Sequence, residues 1–130
     1  MQAWWKVASE RVAQSPGLAR LTAHTITALS PLRRELERIR EQGYALDQEE
    51  AVEGLRCVAG PVFNHAGRIV AAFSVAGPAP RLSPPRVTEI AQMVRETSEQ
   101  ISYRLGFRGG PGRLPEPVSS DPRTSRAAKV

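Results

Sequence analysis

The sequence predicts an α+β fold, an antiparallel sheet with helices packed on it, and three observations carry that prediction. Two β-rich runs, Leu55 to Phe63 and Arg68 to Ala76, flank the turn residues Asn64-His65-Ala66-Gly67. Helix-spaced apolar residues precede them at Leu32, Leu36 and Ile39, and a stripe of helical spacing follows them at Val87, Ile90, Ala91, Val94, Ser98, Ile101 and Leu105. The order is therefore helix, strand, hairpin, helix, with no internal repeat. A chain of 130 residues, 41% hydrophobic but only 5% aromatic, has room for one modest domain whose core must be aliphatic.

Each element has local signals. Residues 1–14 have helical character, with Trp4, Trp5, Val7, Ala8 and Val12 available for one face, and Ser15-Pro16-Gly17 ends the segment. In the next helix Ser30 is the expected N-cap, Pro31 the first helical residue and Gly43 the stop. Its charges, among them Arg33 and Glu37, fall on a solvated face. Tyr44 to Asp47 reads as a short strand leading into an acidic loop. Ser83 and the prolines after it open the last helix, and Gly106 closes it. From Phe107 onward the chain is rich in Gly, Pro, Ser and Arg, too poor in large apolar side chains to offset the entropy of ordering. The expected organisation is an N-terminal helical segment (1–17), a folded body (18–106) and a disordered basic tail (107–130).

Composition narrows the function. The net charge of +5 resides at the two ends, because residues 21–106 carry equal numbers of basic and acidic side chains. That distribution fits solubilising ends better than a phosphate-binding surface. No apolar run approaches the roughly 18 residues of a transmembrane helix. The start lacks a signal peptide's apolar core and cleavage site, and the single cysteine cannot form an internal disulfide, so the cytoplasm is the expected location. No Cys/His group has zinc-site spacing. A nucleophilic Cys57 would need His24 or His65 as its base, and His65 lies in the hairpin turn, about 20 Å along the strand. Asp47, Glu49, Glu50 and Glu53 read as a solvated carboxylate loop, with Asp47 alone placed to face inward. No enzyme, cofactor or metal site is expected.

A four-residue hairpin loop would pair Phe63 with Arg68, Cys57 with Ser74, Leu55 with Ala76 and Ala59 with Ala72, with these last six side chains on one face. The other face receives Val58, Val62, Ile69, Ala71, Phe73 and Val75, as a helix-covered core requires. The first face is small, with one thiol and one hydroxyl. Such a face either packs closely against a helix or lines a ligand pocket, and a slipped register would exchange the two faces.

The run GYALDQEEAVEGLRCVAGPVF…GRIVAAFSVAGPAPRLS, preceded by LTAHTIT…LRRELERIREQ and followed by ISYRLG, resembles the effector-binding domain of IclR-type bacterial transcription regulators over residues 18–106. The resemblance implies a GAF-like domain that binds a small organic acid or aromatic metabolite and helps form oligomers. It places effector contacts at Asp47, Leu55, Cys57 and Ser74, with Ala76 standing where the family pattern has a second serine, so that one hydroxyl donor is lost. It also implies that DNA is reached only indirectly, through a winged helix-turn-helix domain absent here, and that the first strands of the effector domain are absent too. The chain is thus expected to be a partial domain with an unpaired sheet edge, poorly stable or oligomeric. The alternatives are a protein-interaction module that associates with a paralogous full-length regulator subunit, and a non-functional remnant.

Overall fold

A computed structural model describes residues 17–109. The expected helix at residues 1–14 and nearly all of the expected tail lie outside the described residues. Helix α1 spans Leu29–Gln42, and strands β1 (Ala45–Gln48), β2 (Leu55–Phe63) and β3 (Ile69–Pro78) follow. A 3-10 turn at Ala79–Arg81 leads to helix α2, Pro84–Arg104. The strands form one antiparallel sheet in the order β1-β2-β3, which leaves β3 at an edge.

Two helix ends behave as the sequence predicts. Gly43 takes the left-handed conformation at φ 83° and donates its N–H to Ile39 O. Ser83 precedes α2 as its N-cap, with a proline in the first turn. The start of α1 differs. Its N-cap is Ala28 rather than Ser30, because the Leu32 N–H already bonds to Ala28 O at 3.2 Å, and the Ser30 hydroxyl accepts instead from Arg34 Nη1 at 2.9 Å. Pro31 has no N–H to satisfy, so it is tolerated anywhere in the first turn. Leu32, Leu36 and Ile39 are each half-buried.

The core is the contact between α2 and β2. Val58, Leu82, Ile90, Ala91 and Val94 are buried together, with Tyr44, Leu46, Phe73 and Val87 against them. The approach is closest at Gly60, where a Cβ would stand 2.8 Å from Val94 Cγ1 and 3.2 Å from the Phe73 ring. Glycine is what lets the helix lie this near the strand. Beyond Val94 the buried stripe continues through Ser98 and Ser102, while Ile101 and Leu105 are exposed. Both serines bond to the end of β2: Ser98 Oγ donates to Pro61 O, and Ser102 Oγ accepts the Phe63 N–H at 2.9 Å.

The hairpin departs from the expected register. Asn64 Oδ1 accepts the N–H groups of Ala66 (2.9 Å) and Arg68 (3.0 Å), and Asn64 N–H donates to Arg68 O. This closes a loop that includes Arg68, with Gly67 left-handed at φ 74°. Phe63 therefore pairs with Ile69, and a bulge between Val62 and Phe63 makes Val70 the extra residue. Cys57 pairs with Ala76 rather than Ser74, Leu55 with Pro78 rather than Ala76, and Ala59 with Ser74 rather than Ala72. From Leu55 to Val62 the displacement is two residues, so the side chains there keep their faces, whereas past the bulge it is one and Ile69 no longer shares the register of Val62. One further expectation is corrected. Of the β3 residues expected under the helix, Phe73 packs against the core, but Ile69 is 58% exposed and Val75 42%, because α2 lies along β2 and barely reaches the edge strand.

At its C-terminus α2 closes with paired bonds from Gly106 N to Tyr103 O and from Phe107 N to Ser102 O, Gly106 being left-handed at φ 90°. Phe107 then turns back and stacks on Phe63 with ring centroids 5.0 Å apart. Arg108 lies over the Tyr103 ring at 4.1 Å. The expected tail thus begins with residues that contact the fold.

Candidate functional site

The face of the sheet turned away from α2 gathers the five residues singled out from the sequence. β1 pairs Asp47 with Cys57 and Ala45 with Ala59, and β2 pairs Cys57 with Ala76 and Ala59 with Ser74. Asp47, Cys57 and Ala76 thus form one cross-strand row, and Ala45, Ala59 and Ser74 form the next. Leu55 continues the face at the end of β2, opposite Pro78. Asp47, Leu55 and Cys57 are half-buried, whereas Ser74 and Ala76 are exposed. The α2-covered side holds Val58, Gly60 and Val62.

Asp47 is fixed by the turn that follows it. Its Oδ1 accepts the Glu50 N–H at 2.8 Å, and Glu49 between them is left-handed at φ 63°, an uncommon conformation for a residue with a Cβ. That conformation is held from a distance. Thr22 Oγ1 donates to Glu49 O and Thr25 Oγ1 to Glu50 O, each at 2.6 Å. Thr25 Oγ1 also accepts the Thr22 N–H at 2.9 Å, so the segment Leu21–Thr27 is a compact clasp over the acidic turn. The sequence does not announce the clasp: the LTAHTIT segment enters there through His24, which is exposed, and through the family resemblance. Threonines three apart beside the histidine were the available signal, but their partners lie more than twenty residues away.

The electrostatics of the turn follow from this geometry. Burial first, then the Asp47 and Glu35 carboxylates, push the Glu50 carboxyl above its ordinary value. The Gly54 N–H at 2.9 Å, more than any other group, holds Glu49 below its own, with Arg56 adding to the effect. Arg56 points to the helix side, donating to Leu82 O at 2.8 Å and meeting Glu49 Oε2 at 3.5 Å. Burial and then Asp47 push the Cys57 thiol up, so at neutral pH it is a neutral weak donor rather than a nucleophile. His65, the other base considered for it, is exposed in the hairpin loop. Among the described residues no group of three His, Cys, Asp or Glu side chains is placed to hold a metal ion, and no helix is long and apolar enough to cross a membrane.

Comparison with known proteins gives one consistent result. The family model described as bacterial transcriptional regulator IclR C-terminal matches residues 3–103. The HTH-type transcriptional repressor AllR of Salmonella typhi is 47% identical over 92 residues, which is 71% of this chain but 34% of AllR. The chain thus spans about a third of the length of the curated relatives it matches. The Thermotoga maritima IclR structure superposes with a TM-score of 0.67 at 41% identity, covering 70% of this chain and 37% of that one. The inducer-binding domain of Acinetobacter PobR, solved as a double mutant in complex with 3-hydroxybenzoic acid, superposes with a TM-score of 0.65 at 26% identity over 75% of this chain and 61% of that one.

Proposed function

Because the chain belongs to the IclR C-terminal domain family of bacterial transcriptional regulators, we propose that it binds a small-molecule effector on the open face of its sheet. The observation that carries this reading is that Asp47, Leu55, Cys57, Ser74 and Ala76, drawn from three strands, share the face that α2 does not cover. Ligand sites of this kind are mostly apolar with a few placed polar groups. Here small side chains leave volume, while a carboxylate, a thiol and a hydroxyl supply orientation. The superposable PobR domain, which holds 3-hydroxybenzoic acid, supports an effector role for this architecture.

In a whole regulator, effector binding would shift the population between DNA-bound and released states, and only a ligand with different affinities for the two can do so. DNA is contacted indirectly, through a separate DNA-binding domain, and the regulator works in the cytoplasm. The expectation of no enzymatic step forms part of the same proposal. Calorimetric titration with pyruvate, glyoxylate, aromatic acids and their amides tests it. Saturable binding that is lost in Ser74→Trp, which fills the face without touching the core, is the expected result. Absence of saturable binding to folded protein rejects the reading.

A second reading, association with another regulator subunit, is favoured by β3. This ten-residue edge strand carries no charge and exposes Ile69, Val70 and Val75. Light scattering after size exclusion decides it: a monomer at all concentrations rules self-association out, and failure to co-purify with a full-length relative removes the rest.

A further inference from the structure

We infer that β3 pairs with β3 of a second copy of this chain, antiparallel about a two-fold axis at Ser74, so that the two sheets become one. This deepens the subunit-association reading and rests on it. The other edge of the sheet is guarded, since β1 has only four residues and Asp47 is among them. β3 has ten residues, none of them charged, and so lacks the usual protection of an edge.

The direction of its backbone groups follows from its pairing with β2. Pro61, which has no N–H, stands opposite Ala72, and the Ala79 N–H donates to Gly54 O at 2.7 Å just beyond the pair of Leu55 and Pro78. Hydrogen-bonded and non-hydrogen-bonded pairs alternate in an antiparallel ladder, so Phe73, Val75 and Gly77 bond to β2. Ala72, Ser74 and Ala76 then turn their N–H and C=O groups outward, and all three are exposed. A two-fold at Ser74 sets Ser74 against Ser74 and Ala72 against Ala76. It is the register in which the outward residues meet only one another, each pair exchanging both N–H···O bonds. Pro78, without an N–H, and the bulge at Val70 bound the ladder at its ends.

The side chains agree with this register. Pairs on the open face are small, with no like charges opposed. On the helix side Phe73, half-buried, comes opposite Val75 of the second copy and covers a residue that is 42% exposed, an aromatic and β-branched pair of the kind that stabilises sheets. The sequence outside the described residues offers no competing strand. Residues 1–16 have helical spacing, and 110–130 is interrupted by Pro111, Pro115, Pro117 and Pro122.

Light scattering of the full chain over about a hundredfold range of concentration, with amide hydrogen exchange read at both ends, tests the pairing. The expected result is a dimer in which the Ala72, Ser74 and Ala76 amides exchange slowly. On dilution a monomer should appear in which these three exchange freely while Phe73 and Val75 stay protected. Ala72→Pro removes an outward N–H and leaves the β2 ladder intact, so it should raise the dissociation constant about tenfold or more. Val75→Lys, which sets a charge against Phe73 of the second copy, should act in the same direction, each variant being judged on protein with an intact melting transition. A dimer that both variants leave unchanged, or one in which the three amides exchange freely, overturns the β3 pairing while the subunit-association reading stands. A monomer at every concentration also overturns the pairing, and failure to co-purify with a full-length relative then removes that reading as well.

Discussion

The two faces of this sheet are made from alternate residues of the same strands, yet they solve different problems. On the side of α2, Val58 is fully buried and Val94 is 2% exposed, and the helix comes so near that only glycine fits at position 60. On the other side, Cys57, Ala59, Ser74 and Ala76 leave space, and Asp47 brings a charge. The difference teaches that stability and recognition are separated here by parity along the strand. One face is filled by close packing, while the other keeps small side chains and polar groups whose arrangement the fold does not need.

That comparison breaks most easily at Val58. Val58→Ala removes fully buried methyl groups and should cost about 2 kcal/mol, whereas Ala76→Val, one strand over on the open face, should change stability by no more than about 0.5 kcal/mol. Denaturant melts of the two variants check this, and equal losses would erase the distinction between the faces. Gly60→Ala comes next. Its Cβ would meet Val94 Cγ1, a stiff core side chain, at 2.8 Å, so overpacking should cost about 1–3 kcal/mol in the same assay. Ser102→Ala leaves the buried Phe63 N–H without its partner and should cost about 1–2 kcal/mol. The smallest effect lies at the rim of the open face. Glu50 is raised in the folded state, so its contribution to stability is fully present below the unfolded value of 4.5 and is lost as pH rises through the folded value. Glu50→Gln should therefore raise the melting temperature slightly at pH 7, and less as the pH falls through the carboxylate range.

The faces were legible in the sequence because period-2 alternation survives an error of two in register. Cys57 was placed opposite Ser74 and in fact pairs with Ala76, yet both partners lie on the same side. The register itself was not legible. It turns on whether Arg68 belongs to the strand or the loop, which the Asn64 side chain decides by accepting the Arg68 N–H, with a bulge following at Val70. β2 was bounded correctly, since a run of apolar residues between Gly54 and Asn64 admits little choice. At the candidate site, Asp47 was marked from its place after an apolar strand. The Thr22 and Thr25 clasp that holds its turn was missed, because hydroxyl-to-carbonyl bonds across 27 and 25 residues leave no local pattern. Ser98 and Ser102 were hidden for a similar reason. A serine on a helix stripe reads as a small core residue until the strand end it bonds is in place.

The central claim, that the open face takes the effector, is tested most directly by amide chemical-shift mapping of the full chain titrated with the tightest-binding compound of the acid and amide panel. The account predicts saturable shifts centred on Asp47, Leu55, Cys57, Ser74 and Ala76, with Ile90, Val94 and Ser98 on α2 unmoved. Shifts centred on α2 or confined to the outer edge of β3, with the Asp47–Cys57–Ala76 row unchanged, would contradict it.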